Sequence, residues 1–302
     1  VAAAKRVAVV GAGPAGLACA TAAAERGHRV TLFEAGDAIG GQLLLAKRVP
    51  GKQEFDETLR YYGVRLAELG VDVRLGTPVT VEDLAGSEFD EVVVATGVTP
   101  RIPEIPGVDH PSVVSYLQVL RDDAPVGRNV AILGAGGIGF DIAEYLTAEG
   151  EDTSQDVAAF FAKWGVDTDY AHEGGLRAAE PEAPTRQVTL LQRKSSKVGA
   201  GLGKTTGWIH RAELAKRGVV MLPGATYIGI DDGGLHLRVD NEEETMAVDT
   251  IVLCTGQEPR RGLYDELVAA GVSAHLIGGA DVAAELDAKR AIDQGTRLAA
   301  EL

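Results

Sequence analysis

Short apolar runs that end at a glycine recur along the chain, which is the pattern of parallel strands buried on both faces. Arg6–Val10 and Asn129–Leu133 are two such runs. The segments that follow them, Ala15–Glu25 and Ile138–Thr147, are alanine-rich or amphipathic and therefore predict helices. Each pair predicts the strand–turn–helix start of a βαβ unit.

The same pattern predicts further elements between and after these starts. Strands are expected at Arg29–Phe33, Val71–Leu75, Phe89–Ala95, Gln187–Gln192, Val219–Leu222, Ala225–Ile230, Leu235–Val239 and Val248–Cys254, and helices at Gln53–Leu69 and Ala283–Glu301. Residues from about 150 to 186 are polar, and we expect an irregular insertion there.

The first apolar run leads directly into a G-x-G-x-x-G turn. It comprises Gly11, Ala12, Gly13, Pro14, Ala15 and Gly16. In this fingerprint the glycines allow a tight turn, a close approach of backbone to a pyrophosphate, and close helix–strand packing. Glu34 ends the next predicted strand, where a carboxylate accepts hydrogen bonds from ribose hydroxyls. Gly40 and Gly41 follow and offer a second close approach, so this half is predicted to bind a dinucleotide.

The second fingerprint lacks the acidic partner of the first. It comprises Gly134, Ala135, Gly136, Gly137, Ile138 and Gly139. The strand that should end in a carboxylate ends at Gln192, and Arg193 and Lys194 follow. Cations at this place bind a 2′-phosphate that a carboxylate would repel, so the pattern favours NADP over NAD. A solvated strand end is the alternative for the two cations.

Three further segments are candidates for cofactor contacts. Ala95, Thr96 and Gly97 end one buried strand, and Gly256 ends an equivalent one, where backbone would pass close to a dinucleotide. Gly279 and Asp281 precede the closing helix. A carboxylate at Asp281 could bond a ribityl chain, and the alternative is a plain helix N-cap.

Composition excludes several classes of function. A net charge of −15 argues against nucleic acid or an anionic membrane as partner, and no run of about 18 apolar residues predicts a membrane span. The two cysteines, Cys19 and Cys254, lie in apolar segments and form no C-x-x-C pair, so neither a redox disulfide nor a cysteine-bound cluster is expected. We expect a cytoplasmic protein without a metal site, and either a processed chain or a piece of a longer one, since no methionine begins it.

Longer motifs connect the chain to a known family. They are Pro50–Lys52, Thr58–Tyr62, Gly134–Phe140, the insertion residues Asp152–Gln155, Gly201–Arg211 and Gly256–Pro259. Over essentially its whole length the chain resembles the FAD- and NADPH-binding portion of bacterial 2,4-dienoyl-CoA reductases, within the NADH:flavin oxidoreductase and trimethylamine dehydrogenase-like family. The resemblance implies an α/β fold of two nested Rossmann-like domains, as in disulfide-reductase-like flavoproteins. The FAD domain is expected at 1–122 plus 247–302, and the NADP domain at 123–246.

The resemblance also assigns residues to cofactors. FAD is expected at Gly11, Gly13, Pro14, Ala15, Gly16, Glu34, Gly41, Gln42, Ala95, Thr96, Gly97, Gly279 and Asp281; NADPH is expected at Gly134, Gly136, Gly137, Ile138, Gly139, Arg193, Lys194 and Gly256. No catalytic residue is expected, because hydride transfer between two cofactors needs no protein proton donor. No role follows for the distinctive segment Lys204–Arg211. A plain core position is the alternative to a functional role for Trp208, and His210 is expected to be structural.

In the resembling family, hydride from NADPH reaches FAD, and electrons continue through an iron–sulfur cluster to FMN in a TIM barrel that reduces the dienoyl-CoA in fatty acid β-oxidation. The barrel, the FMN site and the cluster cysteines are absent from this sequence. We therefore expect the electron-input half of such a reductase, with a barrel domain as acceptor. One alternative is a non-catalytic nucleotide-binding module, because trimethylamine dehydrogenase resembles this architecture while holding only an adenine nucleotide as a structural element. The other is a reductase for a separate acceptor protein.

Overall fold

A computed structural model of the chain describes residues 3–148, 156–180, 183–284 and 287–302. Among these residues no helix is long and apolar enough to cross a membrane.

The chain divides into two compact units, each made from separated segments. The first contains Val1–Lys47, Glu54–Arg101 and Gln257–Leu302, and the second contains Arg48–Gln53 and Ile102–Gly256. The predicted α/β fold with one unit nested in the sequence of the other is therefore confirmed.

The predicted domain limits differ from these units. Residues 48–53, 102–122 and 247–256 were expected in the first domain, yet they belong to the second unit. For the last two segments the reason is strand pairing: Val113–Ser115 pairs in parallel with Thr250–Leu253, and the latter pairs with Asn129–Leu133. Short strands of three or four residues carry too little pattern to show which sheet they join.

The first unit is built around a five-stranded parallel sheet in the order β15-β4-β1-β2-β3. Its strands are β1 (Arg6–Val10), β2 (Arg29–Phe33), β3 (Asp72–Arg74), β4 (Glu91–Val94) and β15 (Ala274–Leu276). Its helices are α1 (Pro14–Glu25), α2 (Leu43–Ala46), α3 (Phe55–Glu68), α4 (Val81–Ala85), α9 (Gly262–Ala269) and α10 (Ala288–Glu301). A separate antiparallel pair joins β5 (Val98–Pro100) to β14 (Gln257–Pro259).

Small residues let α1 lie deep inside this unit. A Cβ added to Gly295 of α10 would lie 2.2 Å from the carbonyl oxygen of Ala15 in α1, so the two helix backbones nearly touch. Cys19 of α1 is fully buried in the same core. The close contact fixes the position of the helix that follows the first fingerprint.

The second unit contains a five-stranded parallel sheet in the order β6-β13-β7-β8-β9 and an antiparallel sheet in the order β10-β11-β12. The strands are β6 (Val113–Ser115), β7 (Asn129–Leu133), β8 (Gln187–Leu191), β9 (Val220–Leu222), β10 (Thr226–Asp231), β11 (Gly234–Val239), β12 (Glu242–Met246) and β13 (Thr250–Leu253). The helices are α5 (Tyr116–Leu120), α6 (Gly137–Thr147), α7 (Val157–Trp164) and α8 (Gly207–Lys216).

The insertion is not wholly irregular, because it contains α7. Asp156 caps this helix by accepting hydrogen bonds from the N–H groups of Ala158 and Ala159 at 2.9 and 3.0 Å. Lys163 forms an ion pair of 2.6 Å with Glu213 of α8. The prediction of an irregular segment was therefore wrong for α7, while 149–155, which include the motif residues Asp152–Gln155, and 181–182 lie outside the described residues.

The closing helix also begins later than predicted. α10 starts at Ala288 rather than at residue 283, and Asp287 caps it by accepting a hydrogen bond of 2.7 Å from the N–H of Arg290. The alternative role of Asp281 as N-cap of this helix is therefore wrong. Polar residues before a helix look alike in sequence, and only the backbone shows which one is the cap.

Candidate dinucleotide-binding sites

The first fingerprint forms a tight turn between β1 and α1 that only glycine can make. Gly11 has φ of +105°, and a Cβ there would lie 2.4 Å from the carbonyl oxygen of Ala95. A Cβ on Gly16 would lie 1.9 Å from the carbonyl oxygen of Gly11. Both predicted packing glycines are therefore required by close backbone contacts.

The middle glycine of this turn faces open space. Gly13 is the N-cap residue of α1, and no atom lies within 4 Å of the position that its Cβ would occupy. Gly41 lies against it, since a Cβ on Gly41 would be 2.9 Å from the Cα of Gly13, and the N–H of Gly40 donates to the Ala12 carbonyl at 2.7 Å. The result is a glycine-lined cradle at a helix N-terminus, which is the arrangement that receives a pyrophosphate.

Glu34 lies at the end of β2 beside this turn. Its Oε2 accepts a hydrogen bond of 2.8 Å from the N–H of Ala12, and its Oε1 accepts one of 2.8 Å from the N–H of Gly36. A carboxylate oxygen has two acceptor positions, so each oxygen can accept one further donor such as a ribose hydroxyl. The structure therefore connects Glu34 directly to the fingerprint loop.

Three other predicted FAD contacts, Thr96, Gly97 and Asp281, form hydrogen bonds within the first unit. Thr96 donates its hydroxyl to the Arg260 carbonyl, and the Arg260 N–H donates to the Gly97 carbonyl at 3.0 Å. The Oδ2 of Asp281 accepts a hydrogen bond of 2.8 Å from the side chain of Gln294, while the described residues provide no partner for its Oδ1. Asp281 is thus held by Gln294 of α10 and keeps an acceptor atom for a ligand.

The second fingerprint repeats the backbone geometry of the first. Gly134 has φ of +110°, and a Cβ on it would lie 2.2 Å from the carbonyl oxygen of Cys254. A Cβ on Gly139 would lie 1.9 Å from the carbonyl oxygen of Gly134. Gly136 and Gly137 face open space at the start of α6, since no atom lies within 4 Å of the position that a Cβ on either would occupy. The second unit therefore contains a second glycine-lined turn of the same form at a helix N-terminus.

The strand end beside this loop differs from its counterpart. Gln192 follows β8 as Glu34 follows β2, and its Nε2 donates to the Lys194 carbonyl at 2.9 Å and to the Ser196 carbonyl. The carboxamide therefore shapes the loop that carries Arg193 and Lys194. Both cations are exposed, and neither forms an ion pair in the part of the chain that the structure describes.

Tyr227 of β10 lies near the first of these cations. Burial raises the pKa of Tyr227 to about 12, and the positive charge of Arg193 acts in the opposite direction. Gly256, the remaining predicted NADP contact, follows two residues after Cys254 and has φ of +108°. Gly256 is connected to the second fingerprint only by its place in the sequence, two residues after Cys254.

The two thiols fit no redox role, and Trp208 does not lie in the core. Cys19 and Cys254 are both free and buried, as predicted; burial raises the pKa of Cys19 to about 12 and raises that of Cys254 as well. Trp208 is 58% exposed, so it is not a core residue. Among the described residues no group of three or more His, Cys, Asp or Glu could hold a metal ion.

Two polar pairs, each with one partner on α6, consist of residues that were not among the predicted site residues. Lys52 forms an ion pair of 2.5 Å with Asp141, and His210 of α8 forms a hydrogen bond of 2.6 Å with Glu144. The hydrogen bond to Glu144 raises the pKa of His210, against the opposing effect of burial. The partners of each pair are separated by 89 and 66 residues, so no local pattern could have paired them.

Comparison with known proteins shows relatives over nearly the whole chain. It is 30% identical to a metal reductase from Desulforamulus reducens over 91% of this chain and 41% of that protein. It is 41% identical to an N,N-dimethylglycine/sarcosine dehydrogenase from Chromohalobacter salexigens over 86% of this chain and 34% of that protein. The solved structure of a 2-naphthoyl-CoA reductase matches with a TM-score of 0.82 and 25% identity, over 100% of this chain and 40% of that chain.

The chain thus spans about two fifths or less of the length of these relatives. The family model for pyridine nucleotide-disulphide oxidoreductases matches residues 5–288, which include both fingerprints. The chain therefore belongs to the pyridine nucleotide-disulphide oxidoreductase family, whose members are flavoprotein oxidoreductases that bind FAD and a pyridine nucleotide.

Proposed function

We propose that the chain is an NADPH-dependent flavoprotein reductase module in which the first unit holds FAD, the second unit holds NADPH, and hydride passes from NADPH to FAD. The observation that carries this proposal is the pair of glycine cradles. Their backbone contacts agree to within a few tenths of an ångström, while an acidic strand end accompanies one and a basic strand end the other.

The residues of the first unit suit an adenine dinucleotide with an unphosphorylated ribose. The open face at Gly13 admits a pyrophosphate to the N-terminus of α1, and Glu34 can accept ribose hydroxyls. Asp281 offers an acceptor for the ribityl hydroxyls of FAD. When bound, FAD supplies a ring that accepts hydride.

The residues of the second unit suit a phosphorylated ribose. Gly136 and Gly137 leave the start of α6 open to a pyrophosphate. Arg193 and Lys194 form no ion pair with the described residues, and they follow the strand end that corresponds to Glu34 of the first unit. A cation at this place binds a 2′-phosphate by charge-assisted hydrogen bonds. In this proposal the side chains of both units bind and orient the two nucleotides, and no protein group is required to move a proton.

The relatives support a module with an exchangeable substrate domain. Their names specify a metal, a methylated amine and an aryl-CoA thioester as substrates, although this chain matches one portion of each. A shared portion among such different activities is expected to handle electrons rather than to select the substrate. In this proposal the acceptor is an FMN- and iron–sulfur-containing barrel of the 2,4-dienoyl-CoA reductase type.

Cofactor content gives the first test. The purified chain is denatured, the released flavin is identified by chromatography, and iron is assayed. One FAD, without FMN or iron, is expected. Stoichiometric FMN or iron would contradict the assignment, and a colourless chain that binds NADPH without any flavin would favour the non-catalytic nucleotide-binding alternative.

The second test separates the module from a complete reductase. With NADPH, the chain is expected to reduce ferricyanide but not a dienoyl-CoA, because thioester reduction needs a pocket that aligns the substrate against a flavin with a proton donor in reach. Loss of the conjugated absorbance of the thioester at a rate similar to dye reduction would show that the reductive site lies within these residues.

A further inference from the structure

Four charged side chains form a cluster on one side of α6, the helix that begins at the second fingerprint. The α6 charge cluster consists of Lys52, Asp141, Glu144 and His210. Lys52 lies 2.5 Å from Asp141, and His210 lies 2.6 Å from Glu144. Asp141 and Glu144 are three residues apart, so they are neighbours on one helix face. Each carboxylate thus has its own partner, a lysine for Asp141 and a histidine for Glu144.

Burial makes the pairing of Glu144 important. Its exposure is 5%, and a buried carboxylate is costly unless a cation and hydrogen bonds compensate its charge. Protonated His210 supplies both. Around this pair lie Asp141 on α6 and Lys52, whose charges raise and lower the pKa of His210 respectively. Arg217, the residue that follows α8, donates to the backbone carbonyl of Glu144 at 3.1 Å.

We propose that His210 is a positioning residue for the pyridine nucleotide, and that affinity for the nucleotide falls when His210 loses its proton. This inference rests on the proposed function of the second unit. Glu144 is seven residues beyond the first residue of α6, which corresponds to about 10 Å along the helix. Without the imidazolium, the cluster carries a net negative charge close to the cradle for an anionic pyrophosphate, and the α8 contact that holds α6 in place weakens.

The sign of the pH effect follows from the pair. The pKa of His210 is raised above its ordinary value of 6.5, so the imidazolium is fully present below that value and is lost as pH rises through the raised pKa. One uncompensated charge at this distance weakens binding of an anion by about fivefold to tenfold. Affinity for the nucleotide is therefore expected to fall by this factor when the pH rises above the pKa of His210.

The test measures NADP⁺ binding by titration calorimetry at two pH values, one below and one above the pKa that NMR gives for His210 in the parent chain. His210→Gln should bind about fivefold to tenfold more weakly at the lower pH and lose the pH dependence. Glu144→Gln together with His210→Gln replaces the ion pair by two neutral amides and should restore the affinity. His236→Gln, which alters another histidine–carboxylate pair of the same unit, is the matched control and should change nothing.

A second readout is the pKa of His210 itself, followed by NMR with and without NADP⁺. Because coupling is reciprocal, the nucleotide should raise this pKa by the logarithm of the measured affinity ratio. Equal affinity of the parent chain and His210→Gln at both pH values, or a His210 pKa indifferent to NADP⁺, would overturn the inference while leaving the proposed function intact. Absence of NADP⁺ binding by the parent chain at either pH would overturn both.

Discussion

The two strand–turn–helix segments of this protein share one backbone and differ at the strand beside it. In the first, Gly16 would place a Cβ 1.9 Å from the Gly11 carbonyl oxygen; in the second, Gly139 would place one at the same 1.9 Å from Gly134. Beside the first turn Glu34 accepts the N–H of Ala12, and no carboxylate stands at the equivalent place in the second unit.

In the proposed assignment, this difference lets one fold distinguish two ligands. Both ligands would place a pyrophosphate at a glycine turn and helix N-terminus, so the two turns can share one geometry. The strand end would contact the ribose, where the proposed ligands differ. Gln192 turns its carboxamide away to the backbone of the following loop, and that loop presents Arg193 and Lys194.

The largest expected effect tests whether the two turns are structurally equivalent. Gly16→Ala and Gly139→Ala each force a methyl group onto a backbone carbonyl, so each should lower the free energy of unfolding by about 3 kcal/mol or more. Denaturant unfolding of the purified variants measures this loss. Gly86→Ala, which meets no atom within 4 Å, is the control and should change stability by less than about 0.5 kcal/mol. A large loss in only one unit would show that the turns are not equivalent.

The second prediction assigns one ligand to each cradle. Gly13→Ala and Gly136→Ala meet no protein atom, so both variants should fold, but the added methyl group occupies the place of a pyrophosphate. Gly13→Ala should lose FAD and keep NADP⁺, and Gly136→Ala should do the reverse, each by about tenfold or more. Flavin content and NADP⁺ titration measure the two losses. If each variant lost both ligands equally, the assignment of one ligand to each unit would be wrong.

The third prediction concerns the basic strand end. Arg193→Ala removes a charge-assisted contact to the 2′-phosphate, which contributes about 1.5–3 kcal/mol, so the NADPH preference should fall by about one to two decades. Affinities for NADPH and NADH are compared in the variant and the parent chain. Arg238→Ala removes an exposed arginine of the same unit that pairs with Glu243, and it should leave the preference unchanged. Equal loss for both nucleotides would mean that Arg193 is structural.

The smallest expected effect comes from making the second strand end resemble the first. Gln192→Glu places a carboxylate where Glu34 lies in the other unit and removes the donor to the Lys194 carbonyl. Repulsion of the 2′-phosphate, partly offset by the two cations, should weaken the binding of NADPH about threefold to tenfold, while the binding of NADH changes little. Initial rates of dye reduction with each nucleotide measure the shift. An unchanged NADPH preference would show that the strand end does not determine which nucleotide is bound.

Local patterns predicted the parts of the fold that depend on short-range sequence. Bounds of β1, β2 and β7 agree with the structure, and the fingerprint glycines lie where the spacing placed them. The beginning of α10 and the helix α7 were not predicted, because caps and packing partners decide them. The α6 charge cluster was missed for a related reason: its pairs join residues remote in sequence, and only the fold brings them together.

The most direct test of the central claim is an anaerobic titration of the FAD-containing chain with NADPH and, separately, with NADH. The account predicts that NADPH bleaches the visible absorbance of one FAD per chain, and that NADH does so only at about ten to one hundred times higher concentration. A flavin that NADPH leaves oxidised, or that NADH reduces equally well, would contradict the assignment of an acidic FAD site and a basic NADPH site.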